Sequence, residues 1–276
     1  MTGRDLCGKV VAITGGGRGI GAATAAAFAQ AGAKVAIGDL DTDRADEVAR
    51  PVGGRGWHLD VRDPSSFDTF FDHVDAELGG FDVLVNNAGI MPIVEFASET
   101  SQSIQRQIDI NLLGVVWGTQ KAIARMAFTG GHIVNIASIA GLVGIPGVAT
   151  YVATKHAVVG LTDTLRRELR DSDIGFTAVL PGHVRTELTD GVQQHWLAKS
   201  VAPEDVADAI VNGVRRRKAR VYVPRRVGVL TNIETLLPTR LADLATRLTG
   251  ADRTIMTAAT SPARHAYDAR VGNSEH

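Results

Sequence analysis

Tyr151 and Lys155 stand four residues apart in a stretch of helical composition, so a phenol and an ammonium project from one face. A free phenol titrates near about pH 10 and is a poor base at neutral pH. An ammonium beside it favours the phenolate, which suits the pair to proton transfer at a substrate oxygen. Ser138 follows a separate apolar run and offers a hydroxyl that can hydrogen-bond such an oxygen as charge develops on it. Taken singly, Tyr-x-x-x-Lys reads as a surface pair and Ser138 as a turn serine before Gly141. Asn111 alone reads as a cap or a buried polar group. Their weight comes from falling together at the ends of successive strands.

A second group of residues suits a dinucleotide. Thr14-Gly15-Gly16-Gly17-Arg18-Gly19-Ile20-Gly21 follows an apolar run and opens a helix. The missing side chains at Gly15, Gly19 and Gly21 allow a tight turn and close approach to a pyrophosphate. The helix N-terminus adds free N–H groups and a favourable dipole. Gly17, Arg18 and Ile20 lie in the same loop and count among the cofactor contacts. Asp39, followed by Leu40, comes roughly twenty residues later, where a carboxylate accepts from ribose hydroxyls and repels a 2′-phosphate. That favours NAD over NADP. Arg18 pulls the other way, since a guanidinium can pair with the phosphate; Asp39 takes precedence. Asp60, read as the end of the third strand, and Val61 after it are expected to address the adenine. The competing reading of Asp60 is a helix-capping acid before Pro64.

These groups need a frame, and the sequence alternates short β-branched runs with helix-period segments, the mark of βαβ units. Strands are expected at Val10–Thr14, Lys34–Gly38, Gly56–Asp60, Val83–Asn86, His132–Ala137, Gly175–Leu180 and Val221–Val223. Helices are expected at Gly21–Ala31, Ser65–Leu78, Ser103–Ala127, Tyr151–Arg170 and Pro203–Arg217. The result is an α/β fold: a Rossmann-type, doubly wound, parallel seven-stranded sheet. One domain covers residues 1–224. A helical extension, 225–276, carries an amphipathic stretch at Leu236–Leu248 and a tail expected to be poorly ordered after Gly250.

The chain resembles the short-chain dehydrogenase/reductase family over about residues 8 to 224. The glycine spacing, Asn86-Asn87-Ala88-Gly89 after the fourth strand, Asn111, Ser138, Tyr151-x-x-x-Lys155 and Pro181-Gly182-His183-Val184-Arg185-Thr186 come in the family's order. The resemblance implies that Asn87, Ala88 and Gly89 line the adenosine site. It implies likewise that Pro181, Gly182, Val184 and Thr186 contact the nicotinamide end. Asn111, Ser138, Tyr151 and Lys155 would form the catalytic set. Lys155 would also hold the cofactor ribose, and Asn111 would anchor a water leading protons to solvent. His183 is read as a loop residue beside the cofactor in preference to a general base, because the tyrosine already supplies that group. The family further implies a homodimer or homotetramer built on the helices carrying Asn111 and Tyr151.

Composition narrows the rest. With 276 residues, 45% of them hydrophobic, there is material for one large core, and a net charge of -1 gives no field favouring nucleic acid. One cysteine, Cys7, excludes a disulfide framework. His58, His132 and His156 lack ligand spacing, so no metal is expected. No apolar h-region or membrane span is legible, and a cytoplasmic protein is the expectation. The segments Ile90–Glu95, Ile139–Pro146 and Glu187–Ala202 should wall the substrate pocket, and the first two are mostly apolar. That suits a steroid-, retinoid- or lipid-like alcohol or ketone. Arg215, Arg216, Arg217, Lys218, Arg220, Arg225 and Arg226 precede the amphipathic stretch, read either as a solvated helix end or as a membrane-surface contact. The main reading is an NAD-dependent oxidoreductase on an alcohol or carbonyl. The alternatives are an NADP-linked carbonyl reductase and a non-catalytic nucleotide-binding scaffold.

Overall fold

The computed structural model describes residues 5–192 and 200–228, together with Ile255, Ser261, Arg264 and Tyr267. Seven strands run β1 (Val10–Thr14), β2 (Lys34–Asp39), β3 (Arg55–His58), β4 (Val83–Asn86), β5 (Gly131–Ile136), β6 (Ile174–Pro181) and β7 (Arg220–Val223). They form one sheet in the order β3-β2-β1-β4-β5-β6-β7, and every pairing is parallel. Val11 lies opposite Val35 on one side and Val83 on the other.

All five residues of β1 are buried, because helices cover both faces and the strand has no polar side to present. Val11 and Ile13 pack with Phe28 and Ile210, whereas Val10 and Ala12 pack with Phe67, Phe70 and Leu84. The covering helices are α1 (Gly19–Gln30), α2 (Thr42–Ala49), α3 (Pro64–Leu78), α4 (Ser101–Ile108), α5 (Gly114–Met126), α6 (Ala149–Glu168) and α7 (Pro203–Arg215). Side chains start several of them: Asp41 accepts from Arg44 N at 3.1 Å to cap α2, and Asp63 accepts from Ser65 N at 2.8 Å to cap α3.

Three expectations need correction. The third strand stops at His58, so Asp60 lies beyond it, and the α3 cap is Asp63. The stretch read as one helix from Ser103 to Ala127 is divided into α4 and α5 by a π-helical turn at Asp109–Leu113. Helix α2, absent from the sequence reading, fills the crossover from β2 to β3. The amphipathic stretch Leu236–Leu248 lies outside the described residues. From the segment expected to be poorly ordered, Arg264 and Tyr267 are instead buried. Among the described residues no helix is long and apolar enough to cross a membrane. Part of the basic run is bound to the fold: Arg220 pairs with Asp163, and Arg217 donates to the Asp173 carbonyl.

Candidate active site

The strand order reverses between β1 and β4, and the chain leaves these neighbours in opposite directions. A crevice therefore opens at their carboxyl ends. The glycine turn lies there. Gly15 has φ +61°, and a Cβ on it would stand 2.8 Å from Ala88 Cα. A Cβ on Gly21 would stand 2.4 Å from the Gly15 carbonyl oxygen. No side chain fits at either place. The loop is pinned from β4: Asn87 Nδ2 donates to the carbonyls of Thr14 (3.0 Å) and Gly15 (2.8 Å), and Asn87 N donates to Thr14 Oγ1 at 3.0 Å.

Asp39 ends β2 facing the same loop. Its Oδ2 accepts from Gly17 N at 2.8 Å and its Oδ1 accepts from Asp41 N at 3.1 Å. Arg18 is shared between Asp41 and Glu187, each at 3.4 Å. Thr186 closes over the turn, its Cγ2 3.4 Å from where a Gly19 Cβ would be. Leu40 is partly exposed at the rim, Ile20 packs on the core below, and buried Val184 bridges to Val201. The backbone N–H groups, the carboxylate at the strand end and the missing side chains are the cradle a dinucleotide needs.

Two further cofactor candidates, Asp60 and Val61, follow β3. Both oxygens of Asp60 accept from Arg62, the closest contact being 2.7 Å. Burial pushes that carboxyl up, but the hydrogen bonds and charge of Arg62 outweigh it and hold it below the usual range. Val61 packs into the gap left by Gly114.

On the β5–β6 side, Ser138 follows β5 and its Oγ accepts from Ala140 N at 3.1 Å while donating to the Pro181 carbonyl at 3.4 Å. The Tyr151 hydroxyl is hydrogen-bonded to the same serine side chain. One turn along α6, Lys155 Nζ donates to the Ile136 carbonyl at 2.8 Å and stands 5.6 Å from the Tyr151 ring centroid. Gly89 leaves open the space between them and the crevice: a Cβ there would be 3.2 Å from Asn111 Oδ1 and 3.7 Å from Lys155 Nζ. Asn111 sits in the π-helical turn and both ends of its amide hold Ile90. Oδ1 accepts from Ile90 N and Nδ2 donates to Ile90 O, each at 2.8 Å. Pro181 is buried at the end of β6, and Gly182 N donates to the Val223 carbonyl at 2.8 Å. The crevice thus gathers the sequence-predicted residues, with Asp60 and Val61 at its edge and already partnered.

Burial dominates the electrostatics. The Tyr151 phenol is pushed up to about 12, chiefly by desolvation. Its bond to Ser138 opposes the rise, and the nearby Tyr267 phenol adds to it. Desolvation pushes the Lys155 ammonium down to about 8. The sequence reading had the ammonium lowering the phenol; here desolvation sets the direction, and the bond to Ser138 is what opposes it. His183 is also pushed down by burial, with a bond to the Thr189 backbone opposing, and its enclosed Nε2 meets no hydrogen-bond partner among the described residues.

Around Tyr151 lies an apolar cluster of Met91, Ile93, Ala140 and Val148, with Ile145, Leu188 and Val192 against it. All but Val148 belong to the three segments read as pocket walls, although residues 193–199 of the third lie outside the described residues. The sequence reading missed Arg264 and Tyr267, which reach this cluster from the extension. An isolated arginine and tyrosine in a segment of mixed composition carry no periodicity or motif to single them out.

The profile of the family described as short chain dehydrogenase matches residues 9–196. The chain belongs to that family. The chain spans less than half the length of the first curated relatives it matches. A 3-alpha-(or 20-beta)-hydroxysteroid dehydrogenase of Mycobacterium tuberculosis is 38% identical over 76% of this chain and 84% of its own length. Estradiol 17-beta-dehydrogenase 11 of Homo sapiens is 30% identical over 86% of this chain and 82% of its own. The probable oxidoreductase EphD of Mycobacterium tuberculosis is 33% identical over 86% of this chain, but the match spans only 44% of that longer protein. Among solved structures, a short-chain type dehydrogenase/reductase from Mycobacterium marinum superposes with a TM-score of 0.72 and 31% identity. The match covers 79% of this chain and 94% of that chain.

Proposed function

We propose that this chain is an NAD-dependent oxidoreductase that moves a hydride between nicotinamide and the reacting carbon of an apolar secondary alcohol or ketone. The observation that carries the reading is the Tyr151–Ser138 hydrogen bond, with Lys155 one turn away, at the mouth of the switch-point crevice. Gly15, Gly17, Arg18, Gly19, Ile20 and Gly21 would hold the pyrophosphate, and Asp39 and Leu40 the adenosine ribose. Asn87, Ala88 and Gly89 would line the dinucleotide between its ends, while Pro181, Gly182, Val184 and Thr186 would flank the nicotinamide. When bound, the cofactor supplies or takes up the hydride.

The chain's own groups manage the proton. Tyr151 gives its phenolic proton to the carbonyl oxygen during reduction, or takes the hydroxyl proton during oxidation. Ser138 hydrogen-bonds the same oxygen and stabilises the charge that develops on it. Lys155 keeps positive charge beside the phenol and addresses the cofactor ribose. The Asn111 side chain holds Ile90, so its part in the proton route to solvent falls to its main chain and the water it anchors.

Asp39 supports NAD because a 2′-phosphate would approach a carboxylate already fixed by Gly17 N. The NADP reading rests on Arg18, whose guanidinium is already shared by two carboxylates. Fluorescence titration with NADH and NADPH decides between them. NADH is expected to bind roughly tenfold or more tightly, a gap of about 1.4 kcal/mol, and tighter NADPH binding would reverse the assignment. The apolar substrate is supported by the cluster around Tyr151 and by relatives named as hydroxysteroid and estradiol dehydrogenases. A screen of steroid alcohols, long-chain secondary alcohols, polyols and hydroxy acids, read by nicotinamide absorbance, tests it. Turnover confined to polyols and acids removes it.

A further inference from the structure

Two side chains from the far end of the chain reach the candidate site. Arg264 is 0% exposed and donates from Nη1 to the Leu188 carbonyl at 2.8 Å and from Nη2 to the Met91 carbonyl. Its Cζ lies 4.1 Å from the ring centroid of Tyr267, which is itself 5% exposed. The Tyr267 hydroxyl accepts from Met91 N at 3.0 Å. Ile255 packs on the cluster that contains Met91, Ala140 and Tyr151. The Tyr267 phenol is near enough to Tyr151 to help keep it protonated.

Met91 belongs to the stretch after β4 and Leu188 to the stretch after Thr186, so one guanidinium joins two walls of the same pocket. Burying an arginine completely is unfavourable unless its donors are satisfied, and a planar fork can satisfy two carbonyls at fixed separation. A hydrophobic side chain would pack such a place at less expense. Arginine and tyrosine there fix a geometry.

We propose that Tyr267 is a specificity-determining residue of the substrate pocket, and that Arg264 is the positioning residue that holds it there. The tyrosine ring forms the wall on the substrate side of Tyr151 and limits how much bulk an alcohol or ketone can carry next to its reacting carbon. Compact or flat ring alcohols pass under it, and skeletons thickened around that carbon do not. The inference rests on Tyr151 being the proton-transfer group of the proposed function.

The test compares kcat/KM for cyclohexanol and the bulkier 2-adamantanol in the full chain and in Tyr267→Ala, Tyr267→Phe and Arg264→Ala. Both alanine variants should raise the adamantanol-to-cyclohexanol ratio roughly tenfold or more, through a higher KM for cyclohexanol and a lower one for 2-adamantanol. Tyr267→Phe keeps the ring and should stay within about twofold of the parent. An unchanged ratio in either alanine variant overturns the proposal. Melting curves and NADH binding are measured first, and Tyr267→Leu or Arg264→Gln replaces any variant that does not fold. If the parent oxidises no secondary alcohol, the proposed function fails, and amide hydrogen exchange at Met91 judges the wall separately. Slow exchange in the parent and fast exchange in both alanine variants upholds it; equally fast exchange in all three overturns it.

Discussion

With its pKa pushed up to about 12, the Tyr151 phenol is protonated at neutral pH, which suits it to give a proton to a ketone oxygen. Lys155, pushed down to about 8, is mostly charged at neutral pH and loses its proton well before the phenol does. Two outcomes follow at this scale. Reductive kcat/KM should be level in the neutral range and fall as pH rises past about 8, as the ammonium beside the phenol disappears. A profile level beyond about pH 9.5 would dissociate Lys155 from the step. Replacing Tyr151 by Phe should lower kcat about 10²–10⁴-fold while NADH affinity, measured by fluorescence, barely moves. Substantial residual turnover would mean another group moves the proton. The identities of Tyr151, Lys155 and Ser138 were legible because spacing and order expose them. The direction of the phenol's shift was not, because it depends on how completely α6 and the neighbouring loops exclude water.

At the scale of elements, the π-helical turn between α4 and α5 does what a straight helix would not. It places Asn111 so that its amide bonds both the N–H and the carbonyl of Ile90, fixing the loop that starts the first pocket wall. The residue types through Ser101–Met126 are ordinary helix formers with one apolar stripe, so periodicity reads a single helix; a one-residue insertion in the hydrogen-bond ladder leaves no mark in composition. The break of the β3 strand at His58 was hidden similarly, since Leu59 and Val61 keep an apolar pattern after pairing ends. Asn111→Ala removes both bonds to Ile90 and should destabilise the fold by about 2–3 kcal/mol. It should also raise KM for substrate more than it lowers kcat, as the wall beginning at Ile90 loosens. Denaturant melts and steady-state kinetics read the two effects, and an unchanged melt would show that Ile90 finds other partners.

The whole molecule balances a well-packed sheet against a polar, partly desolvated site at its carboxyl edge. The sheet was legible because a seven-strand parallel fold writes itself as repeated apolar runs separated by helix-period segments. The return of Arg264 and Tyr267 to the site was not, since a contact spanning more than 170 residues leaves no local pattern. The buried ammonium of Lys155 shows the balance in measurable form. Its proton is held less tightly in the folded chain, at about 8, than at the ordinary 10.5, a difference worth at most about 3 kcal/mol against folding near neutral pH. Between those two values the unfolded chain binds more protons than the folded one, so rising pH through that window stabilises the native state. Lys155→Met keeps the volume and removes the charge. It should therefore abolish turnover yet raise the melting temperature at neutral pH by roughly 3–6 °C. The gap to the parent should narrow as pH climbs from about 8 towards 10, because the parent sheds the same burden by losing its proton. Scanning calorimetry across that range reads it, and a variant that melts lower than the parent at neutral pH would show that the bond to the Ile136 carbonyl outweighs the desolvation of the charge.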